Sequence, residues 1–393
     1  MHSGRVPIIF LGVDGAAKDL LMKTRVILVC LTFFLLTGCS STPQTSAVIQ
    51  ASRVYNGTAS VGDFLTITIN SGAQTIAYTD LSNNTSGTVA YTVNSDGTYT
   101  LNDPTGNLVA AYEVPNYALL IQATKTGPNG NAPALITAIE SGQISLATFE
   151  GEAYNFMQFR TAAGGLNVGS INVGTQGTGT TSTFSPFQSY NQGNQGGSPF
   201  NSGALNMATA QLGPSGTFLT ITDPDGTNSD YVFGTANGIF AVDTQNGAIL
   251  GLQKAASANF DPATAGTYKA IYYQKTNATT GAGNVETGTA SLGNATLVVT
   301  AAGQLTVTDS SGNQMVEGTL KPVANASYLY GSSGELSDPC YGLFTFRITT
   351  ATGQQDVFVT FMKQATLFSS FTANLPWSSS AGTYNYFYGV GLN

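Results

Sequence analysis

The stretch GQLTVTDSSGN, residues 303–313, is typical of a β-strand that runs into a tight turn. Leu305 and Val307 alternate with threonines, and a side-chain period of two places the apolar pair on one face of a strand. The following Asp-Ser-Ser-Gly suits a four-residue turn, with Asp in the first position and Gly in the last. The stretch therefore predicts a half-buried strand followed by the start of a hairpin.

The same combination of strand and turn occurs twice more in the chain. Each copy opens with Gly and closes in Asp-x-x-Gly, at GTYTLNDPTGN (97–107) and GTFLTITDPDGTN (216–228). A second, aromatic element recurs as EGEAYNFMQF from 150, AGTYKAIYY from 265 and AGTYNYFYG from 381. Once a low-complexity stretch is set aside, the turns repeat every ~90 residues, enough for seven or eight strands of usual length.

These patterns predict an all-β protein of tandem antiparallel up-and-down β-barrel or β-sandwich units. Composition agrees, since Gly is 46 of 393 residues and interrupts nearly every possible helix. We expect a final strand such as GTYNYFYG to pair back onto an earlier one, because closing a sheet removes its exposed edges. A β-propeller is the alternative, because IFAVDTQNGAILGL at 239–252 is typical of a blade hairpin, although blades usually repeat every ~40–50 residues.

The N-terminal part of the chain has the pattern of an export signal. In MKTRVILVCLTFFLL, residues 22–36, Lys and Arg precede an apolar run that fits a secretory signal and is too short to span a membrane. It ends in Leu36-Thr37-Gly38-Cys39, which resembles the lipobox of bacterial lipoproteins. The resemblance covers only the export segment. It implies that Cys39 is lipidated and becomes the first residue of the mature protein.

The expected organisation of the chain follows from this signal and from the repeat. Met22 is the expected initiator, and Ser40 after the Cys resembles the sorting context of outer-membrane lipoproteins. We therefore expect an exported protein, lipid-anchored to the bacterial cell envelope at the outer membrane. The expected segments are an untranslated or non-native extension 1–21, a signal peptide 22–38, a lipidated tether 39–52, and β units 53–149, 150–260 (with a flexible low-complexity insertion 174–203) and 261–393.

Composition argues against nucleic acid as a partner and against several kinds of catalysis. Charged residues are 9% of the chain and the net charge is −8, whereas nucleic-acid binding rests on clustered Lys and Arg. The one histidine, His2, precedes the signal, so the mature chain is expected to lack histidine-based triads and metal sites. Cys340 lies in the turn sequence SDPCYG without a base to activate it, which indicates a structural thiol. We predict no cofactor and no catalytic residue.

Two groups of acidic residues are candidate sites of other kinds. Glu150 and Glu152 are two apart, so a strand would place both carboxylates on one side, and paired carboxylates can hydrolyse glycosides. This makes an envelope glycosidase the weakest functional alternative. Asp223, Asp225 and Asp230 place oxygen ligands at alternate positions, as calcium loops do, although the distal Glu of the EF-hand pattern is missing.

Aromatic residues in the last third of the chain form the remaining candidate site. Tyr and Trp side chains can stack on sugars or contact a partner, although they more often fill a barrel interior. The candidate ligand-binding residues are Tyr268, Tyr272, Trp377, Tyr384, Tyr386 and Tyr388. We expect a non-catalytic envelope protein, a structural or interaction module whose partner is an envelope protein or glycan. The alternative is a lipoprotein that binds a small molecule or carbohydrate in a barrel interior or on the Tyr-rich face.

Overall fold

The computed structural model describes most of the chain after residue 51, and residues 51–393 form one unit. The described residues are 52–102, 106, 108–127, 130–142, 145–160, 166–174, 182–191, 194–198, 205–211, 217–222, 229–234, 238–244, 247–278, 288–323, 340–351, 353–372 and 384–393. Within them, no helix is long and apolar enough to cross a membrane. The unit consists of three antiparallel β-sheets in a row along the chain: a closed barrel, a sheet that closes through an additional strand pairing, and a barrel-like sheet, called here barrels 1, 2 and 3.

Barrel 1 is a closed barrel of eight strands. Each strand pairs with the next along the chain, and the first pairs with the last, so that Tyr55 lies opposite Glu140. The strands are β1 (Ser52–Ala59), β2 (Phe64–Asn70), β3 (Thr75–Asp80), β4 (Thr85–Val93), β5 (Tyr99–Asn102), β6 (Leu108–Val114), β7 (Ala118–Gly127) and β8 (Gly130–Glu140).

Barrel 2 follows a short helix, α1 (Leu146–Phe149). Eight of its nine strands form a ring, in the order β9-β10-β11-β13-β14-β15-β16-β17, and β12 pairs with β11 beside the ring. The strands are β9 (Ala153–Arg160), β10 (Leu166–Val173), β11 (Ser182–Asn191), β12 (Asn194–Ser198), β13 (Leu205–Gln211), β14 (Thr217–Thr222), β15 (Ser229–Gly234), β16 (Ile239–Thr244) and β17 (Gly247–Gln253).

The low-complexity stretch contributes a strand to this ring, which corrects the expectation of a flexible insertion. β11 pairs with β10 on one side and with β13 on the other, so barrel 2 closes through it. Its Ser, Thr, Phe and Tyr residues suit a strand. Pro186 lies where the register between β10 and β11 shifts, and proline is tolerated at such irregularities because it has no N–H to donate.

Barrel 3 follows a single 3₁₀ turn (Pro262–Thr264), and its last strand pairs back onto its first, as expected for GTYNYFYG. β21 and β22 are two parts of one side of the barrel, since β21 pairs with β20 and β22 with β23. The strands are β18 (Gly266–Ala278), β19 (Thr289–Val299), β20 (Gln304–Asp309), β21 (Gln314–Thr319), β22 (Lys321–Pro322), β23 (Leu343–Thr350), β24 (Gly353–Phe361), β25 (Ala365–Thr372) and β26 (Tyr384–Leu392).

The predicted all-β class of tandem antiparallel barrels is confirmed, and the β-propeller alternative is wrong. The segment IFAVDTQNGAILGL forms the hairpin of β16 and β17 in barrel 2. The Asp-x-x-Gly turns occupy two positions, between the fifth and sixth ring strands in barrels 1 and 2 and between the third and fourth in barrel 3. AGTYKAIYY and AGTYNYFYG become neighbouring strands, β18 and β26, of one barrel.

The barrels pack against one another through apolar residues on their outer faces. Phe64 of barrel 1 meets Phe218 of barrel 2, with ring centroids 4.9 Å apart. Phe159 of barrel 2 stacks on Tyr388 of barrel 3, with centroids 3.5 Å apart and nearly parallel rings. Tyr388 is also hydrogen-bonded to Ser60 of barrel 1. A shared apolar core therefore lies between the barrels, in addition to the interior of each one.

Candidate functional site

Barrel 1 contains a cavity of about 450 Å³. Its volume lies in the range of ~300–1,000 Å³ that is usual for small-molecule sites. Asn83 and Thr85 line the cavity and are exposed, so it reaches the surface at one end, called here the mouth. The wall is mainly aliphatic and includes Leu65, Ile67, Ile76, Leu101, Ile121 and Ile136.

Small residues near the mouth leave this space open. Along β1 the inward positions change from Tyr55 to Gly57 and then to Ala59. On the neighbouring strands, Ala123 of β7 lies opposite Ala134 of β8, and both line the cavity. Protein interiors are normally packed as densely as organic crystals, so unfilled space of this size is a distinctive feature of barrel 1.

A buried ion pair closes the other end of barrel 1. The fully buried Glu113 carboxylate accepts hydrogen bonds from Nε and Nη2 of Arg53, both at 2.6 Å, and from the hydroxyls of Tyr55 and Tyr99. Arg53 also donates to Ser71 Oγ at 2.7 Å. Burial, reinforced by the Glu113 carboxylate, raises the pKa of both tyrosines well above the usual value. They therefore remain protonated donors, and the cluster acts as a structural plug.

Two carboxylates and one ammonium group lie at the mouth. Asp63 Oδ1 accepts hydrogen bonds from Lys125 Nζ at 2.7 Å and from Asn83 Nδ2 at 2.8 Å. Asp80 Oδ1 accepts from the backbone N–H groups of Ser82 and Asn83, both at 3.0 Å, and its Oδ2 accepts from Asn83 Nδ2 at 2.8 Å. Asp63 and Asp80 are 7% and 9% exposed. The mouth thus combines an apolar interior with a rim of two nearly buried negative groups and one positive group.

Barrel 3 has a similar ring of strands, but aromatic side chains fill its interior. Phe368 and Phe387 have ring centroids 5.8 Å apart, and the Tyr268 and Phe361 centroids are 5.9 Å apart. The Tyr268 hydroxyl donates to backbone carbonyls of Thr264 and Met362. The buried interior rings are Tyr268, Tyr272, Phe344, Phe346, Phe361, Phe368 and Phe387. The protein's own side chains therefore occupy the space that is open in barrel 1.

The tyrosines predicted to bind a ligand are divided between two buried environments. Tyr268 and Tyr272 lie inside barrel 3. Tyr386 and Tyr388 lie on the outer face of β26 and are buried in the core between the barrels. Tyr272 lies opposite Gly389, so the similar sequences of β18 and β26 direct their tyrosines to opposite faces of the sheet.

The remaining predicted site residues lie largely outside the described part. Trp377, Asp223, Asp225 and the side chain of Tyr384 are not among the described residues. Asp230, the third predicted calcium ligand, is half-buried on β15. Within the described residues, no group of three or more His, Cys, Asp or Glu side chains is placed to hold a metal ion.

Glu150 and Glu152 do not lie on a strand, so the argument that placed both carboxylates on one strand face is wrong. They flank Gly151, whose φ of +78° forms the turn between α1 and β9. Glu152 Oε2 accepts a hydrogen bond from Gln253 Nε2 at 2.6 Å. Cys340 is buried in a turn, with φ +47°.

Sequence reasoning offered a barrel interior as an alternative binding site, but it missed the residues that line the cavity and its rim. One signal was present in SRVYNGTA, the sequence of β1, because its inward residues change from a large one, Tyr55, to the small Gly57 and Ala59. Lys125 and Asp63 are 62 positions apart, and only barrel closure brings their side chains together. The short Asp80–Asn83 turn, by contrast, has the side-chain-to-backbone pattern that Asp commonly forms in turns.

The fold and the cavity define a class, a triple-barrel β protein with a ligand-sized space in its first barrel. No protein-family model and no curated protein sequence matches the chain. A double mutant of transferrin-binding protein B from Haemophilus parasuis Hp5 has a TM-score of 0.27 and 8% identity, covering 87% of this chain and 76% of that one. Intact transferrin-binding protein B with N and C lobes has a TM-score of 0.21 and 11% identity, covering 84% and 66%. The DNA polymerase III β chain of Streptococcus pneumoniae has a TM-score of 0.15 and 9% identity, covering 89% and 93%. At these values no family is assigned to the chain.

Proposed function

We propose that the protein is a non-catalytic, lipid-anchored cell-envelope protein that binds a small apolar molecule in the cavity of barrel 1. The observation that carries the proposal is the cavity of about 450 Å³, with its aliphatic wall and with polar groups converging at its mouth. Pockets of this composition are usual for small-molecule binding. A purely structural module would be expected to have filled interiors throughout, as barrel 3 has.

The ionisable groups that line the cavity support binding rather than catalysis. They are Asp63, Asp80, Lys125 and Tyr78. Asp80 holds a turn through hydrogen bonds, and Asp63 holds Lys125 and Asn83. Nucleophilic catalysis requires a nucleophilic side chain beside a base that is available to activate it. This set can position a ligand, but it does not provide that pairing.

The proposed anchor rests on the resemblance of Leu36-Thr37-Gly38-Cys39 to a lipobox. Two or three acyl chains on Cys39 would hold the protein on a membrane far more firmly than a single chain could. Replacing Cys39 by Ala should abolish labelling with radioactive palmitate and release the protein from the membrane fraction. Unchanged labelling in this variant would contradict lipidation at Cys39.

Binding is tested with the mature chain carrying Ser in place of Cys39, exported behind a cleavable signal. N-phenyl-1-naphthylamine is an uncharged probe whose fluorescence rises in apolar surroundings, and we expect it to bind with saturation. Ala134→Phe should fill the cavity from β8 and weaken binding at least about tenfold, which corresponds to ~1.4 kcal/mol. Ala90→Phe makes the same change at an exposed position on β4 and should leave binding unchanged.

Circular dichroism and thermal unfolding establish that both variants are folded before binding is compared. Ala123→Phe, on the strand beside Ala134, is a second cavity-filling change for the case in which Ala134→Phe does not fold. If folded Ala134→Phe and Ala123→Phe both bound the probe as well as the parent chain does, the probe would lie elsewhere and the cavity proposal would be wrong.

A further inference from the structure

We propose that the ligand of the barrel 1 cavity is a cationic amphiphile, whose apolar body occupies the barrel and whose positive head group contacts Asp63 and Asp80 at the mouth. This inference rests on the proposed function, because a head group at the mouth requires a ligand body in the cavity. It adds the charge of the ligand and the residues that select it.

The first argument is the charge of the mouth. Asp63 and Asp80 provide two negative groups, and Lys125 provides one positive group that is already 2.7 Å from Asp63. Among the described residues of the rim, one negative charge is left over beside an apolar space. A charge removed from water and left without a counter-ion is costly, so a cation that enters with its body in the cavity gains from meeting it.

Carboxyl groups of barrel 2 also lie near the mouth. Asp243 of barrel 2 is buried, and its pKa is raised to about 7, mainly by that burial. The charges of Asp230, Asp63 and Asp80 add to this effect. These carboxylates are therefore close enough to influence one another, and the mouth lies in an acidic region shared by barrels 1 and 2.

The second argument is the hydrogen bonding of Asp63. Both of its hydrogen bonds, from Lys125 and from Asn83, are accepted by Oδ1. Its Oδ2 accepts none from the residues that the structure describes, although Asp63 is only 7% exposed and lines the cavity. An acceptor is thus available for an ammonium or guanidinium donor, and hydrogen bonds between ionised groups are about twice as strong as neutral ones.

An anionic head group suits this site poorly. It would face two carboxylates, and to reach Lys125 it would have to displace Asp63 from its 2.7 Å ion pair. Asp63 would then be left nearly buried without its counter-ion, which is unfavourable. A neutral head group could donate to Oδ2 but would not compensate the remaining charge.

The test compares three probes with the same apolar chain, namely decylammonium, decanol and decanoate, by displacement of N-phenyl-1-naphthylamine near neutral pH. We expect decylammonium to bind about tenfold more tightly than decanol, and decanoate to bind more weakly than either. Equal affinities for the three probes would overturn the charge inference and leave the cavity proposal standing. Binding of none of the probes would overturn the cavity proposal, and this inference with it.

Two substitutions assign the preference to named residues. Asp63→Asn removes the counter-ion of Lys125, so it should abolish the advantage of decylammonium and strengthen decanoate binding. Asp80→Asn retains an amide oxygen for the N–H groups of Ser82 and Asn83, so it should reduce the preference for decylammonium while preserving the turn. An unchanged preference in both folded variants would also overturn the inference.

Asp309→Asn is the matched control for these variants. Asp309 of barrel 3 forms the same kind of turn, since its Oδ1 accepts from the N–H groups of Ser311 and Asn313 at 2.9 and 2.8 Å. Its Oδ2 accepts from Asn313 Nδ2 at 3.0 Å, as Asp80 Oδ2 does from Asn83. The control removes an equivalent carboxylate away from the cavity, and we expect the order of the three probes to be unchanged.

Discussion

The hydroxyl of Thr58 in barrel 1 donates a hydrogen bond of 2.6 Å to Oδ1 of Asp243 in barrel 2, so a carboxyl group is buried where two barrels meet. Burial raises the pKa of Asp243 to about 7, and the Thr58 hydrogen bond opposes this effect only in part. The folded protein therefore retains a proton on Asp243 over a range in which an unfolded chain, with a carboxyl pKa near ~3.9, has lost it.

This proton predicts how the stability of the protein depends on pH. A raised folded pKa means that the Asp243 contribution is fully present below about pH 4 and is lost as the pH rises to about 7, where it levels off. The contribution is on the order of a few kcal/mol. Urea unfolding at a series of pH values measures it. Asp243→Asn should remove this part of the decline and be at least as stable as the parent at high pH, and an undiminished decline in that variant would contradict the assignment.

The plug at the closed end of barrel 1 predicts a large effect of removing one partner. Glu113→Leu leaves the Arg53 guanidinium buried without its carboxylate, and breaking such a pair typically costs about 3–5 kcal/mol. Replacing both partners by apolar residues, as in Arg53→Met with Glu113→Leu, removes the buried charges and should recover much of the lost stability. The free energies of unfolding of the two single variants and the double variant form a double-mutant cycle. If the double variant lost more free energy of unfolding than the two single variants together, the two side chains would not act as a stabilising pair.

Much of the architecture could be predicted from local patterns. Alternation in Leu305 and Val307 places both residues inside barrel 3, and the run from Val357 is apolar on both faces because β24 is covered on both. Its Val357 and Val359 face the barrel interior, whereas Phe358 faces the core between barrels. These outcomes follow from the side-chain period of a strand, which is a local property.

The site depends on relationships that no local pattern contains. Arg53 and Glu113 are 60 positions apart, and their contact follows from ring closure. The tyrosines of β18 and β26 have similar sequences, but Tyr272 lies inside barrel 3 and Tyr388 lies outside it, because a shift of one position reverses the face. The cavity exists because the side chains of all eight strands together leave part of the barrel interior unfilled. It is therefore set by the barrel as a whole.

We predict that the stacked rings of Phe159 and Tyr388 stabilise the junction between the barrels. Phe159→Ala removes the ring that stacks on Tyr388 and should lower the free energy of unfolding by about 3–5 kcal/mol. Tyr388→Phe keeps the stacked ring and loses only the hydrogen bond to Ser60, so its cost should be about 1 kcal/mol. Hydrogen exchange should show increased opening at the facing strands β9 and β26 in Phe159→Ala. Equal costs for the two variants would mean that the stacking contributes little.

The filled interior of barrel 3 predicts that a glycine packed against its aromatic rings cannot be replaced. A Cβ on Gly389 would lie 2.3 Å from the Phe368 ring and 2.9 Å from the backbone oxygen of Ile271, and neither can move freely in a packed barrel. Gly389→Ala should therefore cost at least about 1–3 kcal/mol, the usual effect of overpacking. Gly142→Ala is the control, since a Cβ there meets nothing within 4 Å and no positive φ is involved. Thermal unfolding of the two variants measures the difference. If Gly389→Ala were as stable as Gly142→Ala, the rings of barrel 3 would have room to rearrange, and the contrast between its filled interior and the open cavity of barrel 1 would be weakened.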